Sequence, residues 1–267
     1  MNEAYYYGQG KVYLARRDGN GRPGAWRWVG DVSALTVTLA FEQKTAKVSR
    51  GGKLVNTRRY LTSHSGSVTS RWHSFSPDNL ALLLNSTVAH NYPELIENET
   101  LPSNISAGDR ISLAYQNVWG VGIHNMVEGR DYRVDAPWGM IEFITTPTNQ
   151  PVRVNYAHAP SSGIPIFTDK PNEFALRFES INLADSSTSM LLELYRLSFD
   201  PLTALQLINN ESSLGGIDTA AEIMYDLNRV DDPNLGRFGR VTVIRTLSGI
   251  RHNGAINYDG RYLHGGN

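Results

Sequence analysis

The segment between Leu35 and Ser67 contains few residues that break β-strands, apart from the glycine pair Gly51-Gly52 near its centre. Two extended arms around adjacent glycines are typical of a β-hairpin, because glycine readily adopts the positive φ angles of a tight turn. The segment therefore predicts one long hairpin over residues 35–67. Because its distal part is largely polar, we expect that part to project instead of packing on its own core.

Elsewhere the chain alternates apolar and polar residues in short runs. The apolar positions of four such runs are Val37, Leu39 and Phe41; Ile111, Leu113 and Tyr115; Val152, Val154 and Tyr156; and Phe174, Leu176 and Phe178. Alternate side chains of a strand point to opposite faces, so each run predicts a strand with one buried face. Further strands are expected at residues 11–15, 66–75, 140–145, 189–199 and 237–246. The predicted fold class is therefore mainly β, a β-sandwich or barrel with a projecting hairpin.

Two helices are predicted, over residues 76–86 and 219–227. The first begins with Ser76, a good N-cap, followed by a proline that suits the first helical position and by an early carboxylate. The leucines that follow supply an apolar stripe with which this helix can pack on a sheet. Residues 200–209 fit either a helix or an extended segment.

The chain of 267 residues suits one or two domains. Residues 101–163 form a self-contained series of strands and turns, and we expect them to be a small β subdomain inserted in the main body. The main body would then consist of residues 1–100 and 164–247. Residues 248–267 are rich in glycine and asparagine and bury too little apolar surface to fold alone, so they are either loose or ordered against a neighbour.

No local motif points to catalysis or to a cofactor. The chain has no cysteine, which excludes disulfides, a thiolate nucleophile and Cys-ligated metal sites. Neither Gly8-Gln9-Gly10 nor Gly120-Val121-Gly122 continues into a dinucleotide fingerprint, and no two histidines have the i, i+4 spacing of a helical metal site. We therefore expect no enzyme activity, catalytic residue, cofactor or metal ion. The tryptophans are expected in the core or in interfaces, although a stacking role also fits them.

Charge is unevenly distributed along a chain whose formal net charge is −1. Residues 42–59 contain one acid and six bases, which are Lys44, Lys47, Arg50, Lys53, Arg58 and Arg59. Residues 209–235 contain one base and six acids, which are Glu211, Asp218, Glu222, Asp226, Asp231 and Asp232. Both segments fit solvated surfaces, and they also fit complementary, head-to-tail contacts between copies. The near-neutral total argues against a protein that grips nucleic acid through bulk charge.

Four sequence features follow one another in order. They are the opening segments 7–14 and 28–32, the strand 35–39 that enters the long hairpin, the return arm that leads through residues 74–80 into a helix, and segment 176–179 followed by 192–201. In this order, which spans about residues 5–226, the chain resembles bacteriophage tail tube proteins (major tail proteins), which are related to the tube proteins of type VI secretion.

The resemblance implies a structural virion protein that is not an enzyme. Such proteins form hexameric rings that stack into a hollow tube, and genomic DNA passes through the tube without tight binding. The implied partners are further copies of the chain and the tape measure, tail terminator and baseplate proteins. The implied location is the virion tail, after assembly in the host cytoplasm. No run of ~18 apolar residues and no signal peptide is visible, so no membrane insertion is expected.

In such a tube, we expect the six bases of residues 42–59 to contact the neighbouring ring, with the six acids of residues 209–235 as the candidate complementary surface. The lumen should be neutral to acidic, because each base that neutralises a phosphate adds affinity for DNA. Two alternatives remain open. One is a carbohydrate- or surface-binding β-sandwich module of a virion or secreted assembly, with the insert as its binding domain. The other, less favoured, is a hydrolase whose triad is dispersed in the sequence.

Overall fold

The computed structural model describes residues 6–184, 188–208, 214–230, 232–245, 251–252 and 256–257. Strands account for 54% of the chain and helices for 4%, so the predicted mainly-β class is confirmed. In chain order the elements are β1 (Gly8–Arg16), β2 (Arg27–Trp28), β3 (Val32–Arg50), β4 (Lys53–Trp72), α1 (Pro77–Leu83), β5 (Ala89–Asn91), β6 (Glu94–Thr100), β7 (Arg110–Ser112), β8 (Val118–Ile123), β9 (Tyr132–Asp135), a 3-10 turn (Ala136–Trp138), β10 (Met140–Phe143), β11 (Arg153–His158), β12 (Ser161–Gly163), β13 (Glu173–Asn182), β14 (Thr188–Phe199), β15 (Ile217–Ile223), β16 (Gly239–Arg245), β17 (Arg251–His252) and β18 (Ile256–Asn257).

The chain divides into two compact units. Unit 1 comprises Met1–Ser86 and Ile166–Asn267, and unit 2 comprises Thr87–Pro165. The insertion predicted over residues 101–163 is therefore present, but it begins earlier, because β6 precedes residue 101 and pairs with β11 of the same unit.

Unit 1 is built on an antiparallel sheet with the strand order β2-β1-β13-β14-β15-β4-β3. Besides β13, the long strand β14 pairs with two other strands on its second edge. Its first part pairs with β16 and its last three residues pair with β15. Alternate residues of these strands build a single core cluster, as their period-two pattern predicts. Its buried members include Val12, Leu14, Val68, Trp72, Leu176, Leu197, Phe199, Ile217 and Ile223.

Helix α1 begins where the sequence predicts and ends three residues earlier. The Ser76 Oγ accepts a hydrogen bond from the backbone N–H of Asn79 (3.3 Å), and proline and aspartate follow in the first turn. The fully buried side chain of Asn79 connects the helix by hydrogen bonds to residues that precede it in the chain. Its Nδ2 donates to the carbonyl oxygens of Val29 (2.8 Å) and Ser74 (2.9 Å), and its Oδ1 accepts from Arg27 Nη1 (2.6 Å).

The helix predicted over residues 219–227 is wrong. Residues Ile217–Ile223 form strand β15, which lies between β4 and β14. The reason is a period-two pattern in which Ile217, Ala221 and Ile223 face the core while Glu222 faces solvent. The ambiguous segment 200–208 forms neither helix nor strand in its described part, and the amide of Leu202 donates to the carbonyl of Leu83 (3.0 Å).

Unit 2 contains two three-stranded antiparallel sheets, β6-β11-β8 and β7-β10-β9, and the pair β5-β12. It has its own core, which includes Ile141, Phe143, Val154 and Tyr156. Burial of the Tyr156 phenol, together with its hydrogen bond to the Glu99 carboxylate, raises the pKa of Tyr156. A unit with a closed core of this kind is stabilised largely by its own contacts.

Except for β17 and β18, the glycine-rich segment predicted at residues 248–267 lies outside the described residues. Within the part of the chain that the structure describes, no helix has the length and apolarity needed to cross a membrane.

Candidate functional site

The long hairpin predicted between residues 35 and 67 is present and extends beyond both limits. Strands β3 and β4 pair from Val32 opposite Trp72 to Arg50 opposite Lys53. Gly51 and Gly52 connect them with φ angles of 58° and 74°, the conformation that two-residue hairpin turns require. The glycine pair therefore sets the position of the turn.

The distal part of this hairpin lacks a second neighbour among the described strands. Strand β4 pairs with β15 only over Gly66–Trp72, so residues 53–65 have β3 as their one partner there. At ~3.3 Å per residue, this stretch extends over about 40 Å. We call residues 40–65 the hairpin arm.

Side chains throughout the hairpin arm are exposed, except that of the half-buried Ala46. The exposed set includes large apolar residues, namely Phe41, Val48, Leu54, Val55, Tyr60 and Leu61. A two-stranded ribbon without a packed face is marginally stable in water. The arm therefore contains more apolar residues than the predicted, largely polar hairpin end. These apolar side chains lack the burial that stabilises a sheet.

The six bases of the arm are divided between its two faces. Directly opposite residues lie on the same face, so the pairs Lys44–Tyr60, Ala46–Arg58 and Arg50–Lys53 place four bases on one face, while Lys47 and Arg59 lie on the other. Arg50 directly opposite Lys53 is a repulsive pair. Among described residues none of the six forms an ion pair, although Arg59 Nε donates to Gln43 Oε1. The arm thus carries uncompensated positive charge.

The predicted acidic surface does not include all six acids. Asp226 is buried and its Oδ1 accepts from Arg17 Nη2 (2.8 Å), so its carboxylate is not available to a partner; that part of the prediction is wrong. Asp218 pairs with Arg71 (3.0 Å), and Asp232 accepts the amide of Asn234 (2.8 Å) in a turn. Glu222 is exposed on β15, while Glu211 and Asp231 lie outside the described residues.

At the base of the hairpin, unit 1 has an open apolar groove of about 830 Å³. One wall is β3, from which Leu39 (75% exposed) and Phe41 (56% exposed) reach into the groove. The other residues that line it come mainly from the central strands and include Phe178, Met190, Leu192, Ile223 and Val241. Contiguous exposed apolar surface of this kind marks interaction sites on folded proteins.

Charged groups on the opposite face of these central strands neutralise one another. The Glu193 carboxylate accepts from Arg240 Nε (2.5 Å) and from Arg177 Nη1 (3.4 Å). The hydrogen bond to Glu193 raises the pKa of Arg240. Because the groove itself is lined mainly by apolar residues, it favours an apolar occupant over a charged one.

One of the five tryptophans is buried in this single subunit. Trp72 is in the core, whereas Trp26, Trp28, Trp119 and Trp138 are exposed. Two of these exposed indoles belong to unit 2. Among the residues described, no group of three or more potential metal ligands comes together.

No curated protein matches the sequence significantly. A family model with the description "Protein of unknown function UCP028589" matches residues 5–242, which is most of the chain. The chain therefore belongs to this family.

Proposed function

We propose that this chain is a structural subunit that assembles into stacked, hexameric rings and thereby forms a phage tail tube, the conduit for DNA ejection. The observation that carries the proposal is the hairpin arm, a ribbon whose large apolar residues are exposed and whose bases form no ion pair among the described residues of the subunit. A second copy can supply strand neighbours and apolar cover for the arm.

The apolar groove supports the same proposal from a different part of unit 1. Leaving Leu39 and Phe41 in water forgoes roughly 25 cal/mol for each Å² of apolar surface that a neighbour would bury. Because the groove begins where the arm leaves the sheet, one neighbouring copy can cover both surfaces. The outer edge of β3, which pairs with no further strand in the described part of the chain, offers backbone groups for continuing the sheet into that copy.

The remaining parts of the proposal follow from the resemblance. The location is the virion tail after assembly in the host cytoplasm, and the partners are the tape measure, tail terminator and baseplate proteins. The arm bases contact an adjacent ring, and the lumen is lined by neutral or acidic residues so that DNA is not retained.

Negative-stain microscopy of the purified chain tests the proposal when combined with a shortened hairpin. Lys44 lies opposite Tyr60, so replacing residues 45–59 by Asn-Gly closes the hairpin in a two-residue turn. We expect rings or tubes from the full chain and folded, unassembled subunits from the shortened one.

Two outcomes contradict the proposal. One is a full chain that stays monomeric at high concentration. The other is a shortened chain that assembles as readily as the full one. Circular dichroism of the shortened chain checks that it has retained the fold of unit 1.

A further inference from the structure

Unit 2 contains a cleft that the proposed assembly does not use. The cleft is lined by residues of the short paired strands β5 and β12 and by the residues next to them. Its volume of about 420 Å³ falls within the range of small-molecule sites. His90, Asn91 and Tyr92 line one side, and Pro160, Ser161 and Ser162 line the other.

The lining groups combine an aromatic ring with neutral hydrogen-bonding groups. Tyr92 is 78% exposed, so its ring is available for stacking. Asn91 Nδ2 donates to Ser161 Oγ (3.1 Å), and Ser162 Oγ lies 3.4 Å from His90 Nδ1. No carboxylate, guanidinium or ammonium group is among the residues described as lining the cleft. This chemistry favours a neutral ligand with several hydroxyl groups.

A second aromatic platform lies on the sheet from which these segments emerge. Ala157 of β11 is directly opposite Leu95 of β6 on one side and Trp119 of β8 on the other. Leu95 and Trp119 are both exposed. Since Tyr92 lies three residues before Leu95, and Pro160 three residues after Ala157, Leu95 and Ala157 are each within about 10 Å of the cleft along their strands, and Trp119 lies one strand spacing, about 5 Å, from Ala157.

Glycines keep the platform open beside the indole. A Cβ at Gly120 or at Gly122 would meet no other atom within 4 Å. Both glycines follow Trp119 on β8, and neither adds a side chain to the surface around the indole. A flat ligand face can therefore approach the indole closely.

We infer that unit 2 binds a neutral oligosaccharide, with one sugar at the Tyr92 cleft and a later sugar against Trp119. A pyranose presents an apolar C–H face, which stacks on an aromatic ring, and hydroxyl groups, which hydrogen-bond to the Asn91 amide and the serine hydroxyls. Two aromatic side chains separated along neighbouring segments of unit 2 match a linear chain of sugars better than a single small molecule.

A protein partner fits this surface less well. A stable protein interface takes roughly 20–30 residues from each side. The apolar row here consists of the exposed Leu95 and Trp119 with the half-buried Ala157 between them. Its surroundings are polar, with neutral groups in the cleft. This inference does not depend on the proposed assembly, because it concerns unit 2 alone.

The test uses the full-length chain on an array of oligosaccharides that covers neutral hexoses, N-acetylhexosamines and deoxyhexoses together with acidic glycans. We expect binding to at least one neutral class. Tyr92→Ala should weaken this binding about tenfold, and Trp119→Ala should weaken it further for longer chains than for disaccharides.

Trp138→Ala is the matched control, because Trp138 is an exposed aromatic residue of unit 2 (70%) that does not line the cleft. It should bind within about twofold of the parent. The inference is overturned if no neutral glycan binds, if acidic glycans are preferred, or if Trp138→Ala loses as much affinity as Tyr92→Ala. Microscopy of the same variants reports on assembly separately, so loss of one property without the other identifies which proposal fails.

Discussion

Arg17 donates through Nη2 to Asp226 Oδ1 over 2.8 Å, although the two residues are 209 positions apart in the chain. The exposed fractions of their side chains are 2% and 5%. The Arg17 Nε also donates to the carbonyl of Gly21 (3.1 Å), and the amide of Asn228 donates to the same Asp226 oxygen (3.2 Å). The ion pair therefore joins the turn after β1 to the segment after β15 inside unit 1.

Removing the charge of Asp226 should destabilise unit 1. Asp226→Asn leaves Arg17 buried without a counter-charge, and breaking a buried pair in this way costs about 3–5 kcal/mol. Urea unfolding measures the change. Glu222→Gln, an exposed acid from the same charged segment, should change the free energy of unfolding by less than ~0.5 kcal/mol. Equal stability of the two variants would show that the buried pair is not formed.

Charge reversal on the hairpin arm should affect assembly and not folding. Arg58→Glu with Arg59→Glu changes one base on each face of the arm, and both side chains are exposed. We expect an unchanged melting temperature and a concentration for assembly that rises at least tenfold.

Arg22→Glu with Lys170→Glu is the control for net charge, because it makes the same charge change at exposed positions outside the arm. This control should assemble normally. If both double variants assemble alike, the arm bases do not contribute to contacts between copies. Added salt should weaken assembly of the parent chain, since it screens exposed charges.

Polar substitution in the apolar groove should also block assembly. Leu39→Ser with Phe41→Ser removes exposed apolar surface, so the free subunit should lose little stability. Leu227→Ser with Val230→Ser is the matched control, because both residues are exposed in unit 1 and neither lines the groove. Sedimentation of the assembled material compares the two. Normal assembly of the groove variant would exclude the groove as a contact surface.

A backbone substitution should destabilise unit 2 without affecting unit 1. Gly139 has a φ of 61°, and a Cβ there would lie 2.0 Å from the carbonyl oxygen of Tyr115. Gly139→Ala should therefore cost more than ~2 kcal/mol, from the strained φ and the clash together. Hydrogen exchange should show faster opening of unit 2 and unchanged protection in unit 1.

Gly129→Ala distinguishes the cost of the strained φ from the cost of the clash. Gly129 also has a positive φ of 86°, but a Cβ there meets nothing within 4 Å. Its cost should be about 1 kcal/mol, the conformational part alone. A Gly139→Ala variant no less stable than Gly129→Ala would show that Tyr115 does not approach as described.

Local patterns explain which parts of the fold were predictable. Gly51-Gly52 located the hairpin turn, and Ser76 located the start of α1, because both depend on residues adjacent in sequence. The sequence of β15 predicts a helix as well as a strand because its small apolar residues fit both periods, and only pairing with β4 and β14 favours the strand.

Contacts between distant segments explain what could not be predicted. The groove joins Leu39 to Met190 and Val241, which lie far apart in the chain. The burial of Asp226 depends on Arg17, and no residue near Asp226 signals it. Whether an exposed side chain such as Trp119 lies beside an open backbone also depends on strand register, which composition does not determine.

Ala89, close to the start of unit 2, pairs with Gly163, close to its end. The polypeptide thus enters and leaves this unit through adjacent positions, so its two attachment points are about one strand spacing apart. With this arrangement, unit 2 can be removed, or replaced by another domain whose two ends are equally close. The distance between the two points at which the chain leaves and re-enters unit 1 then stays the same. Related chains can therefore differ greatly in length here and still keep the same underlying body.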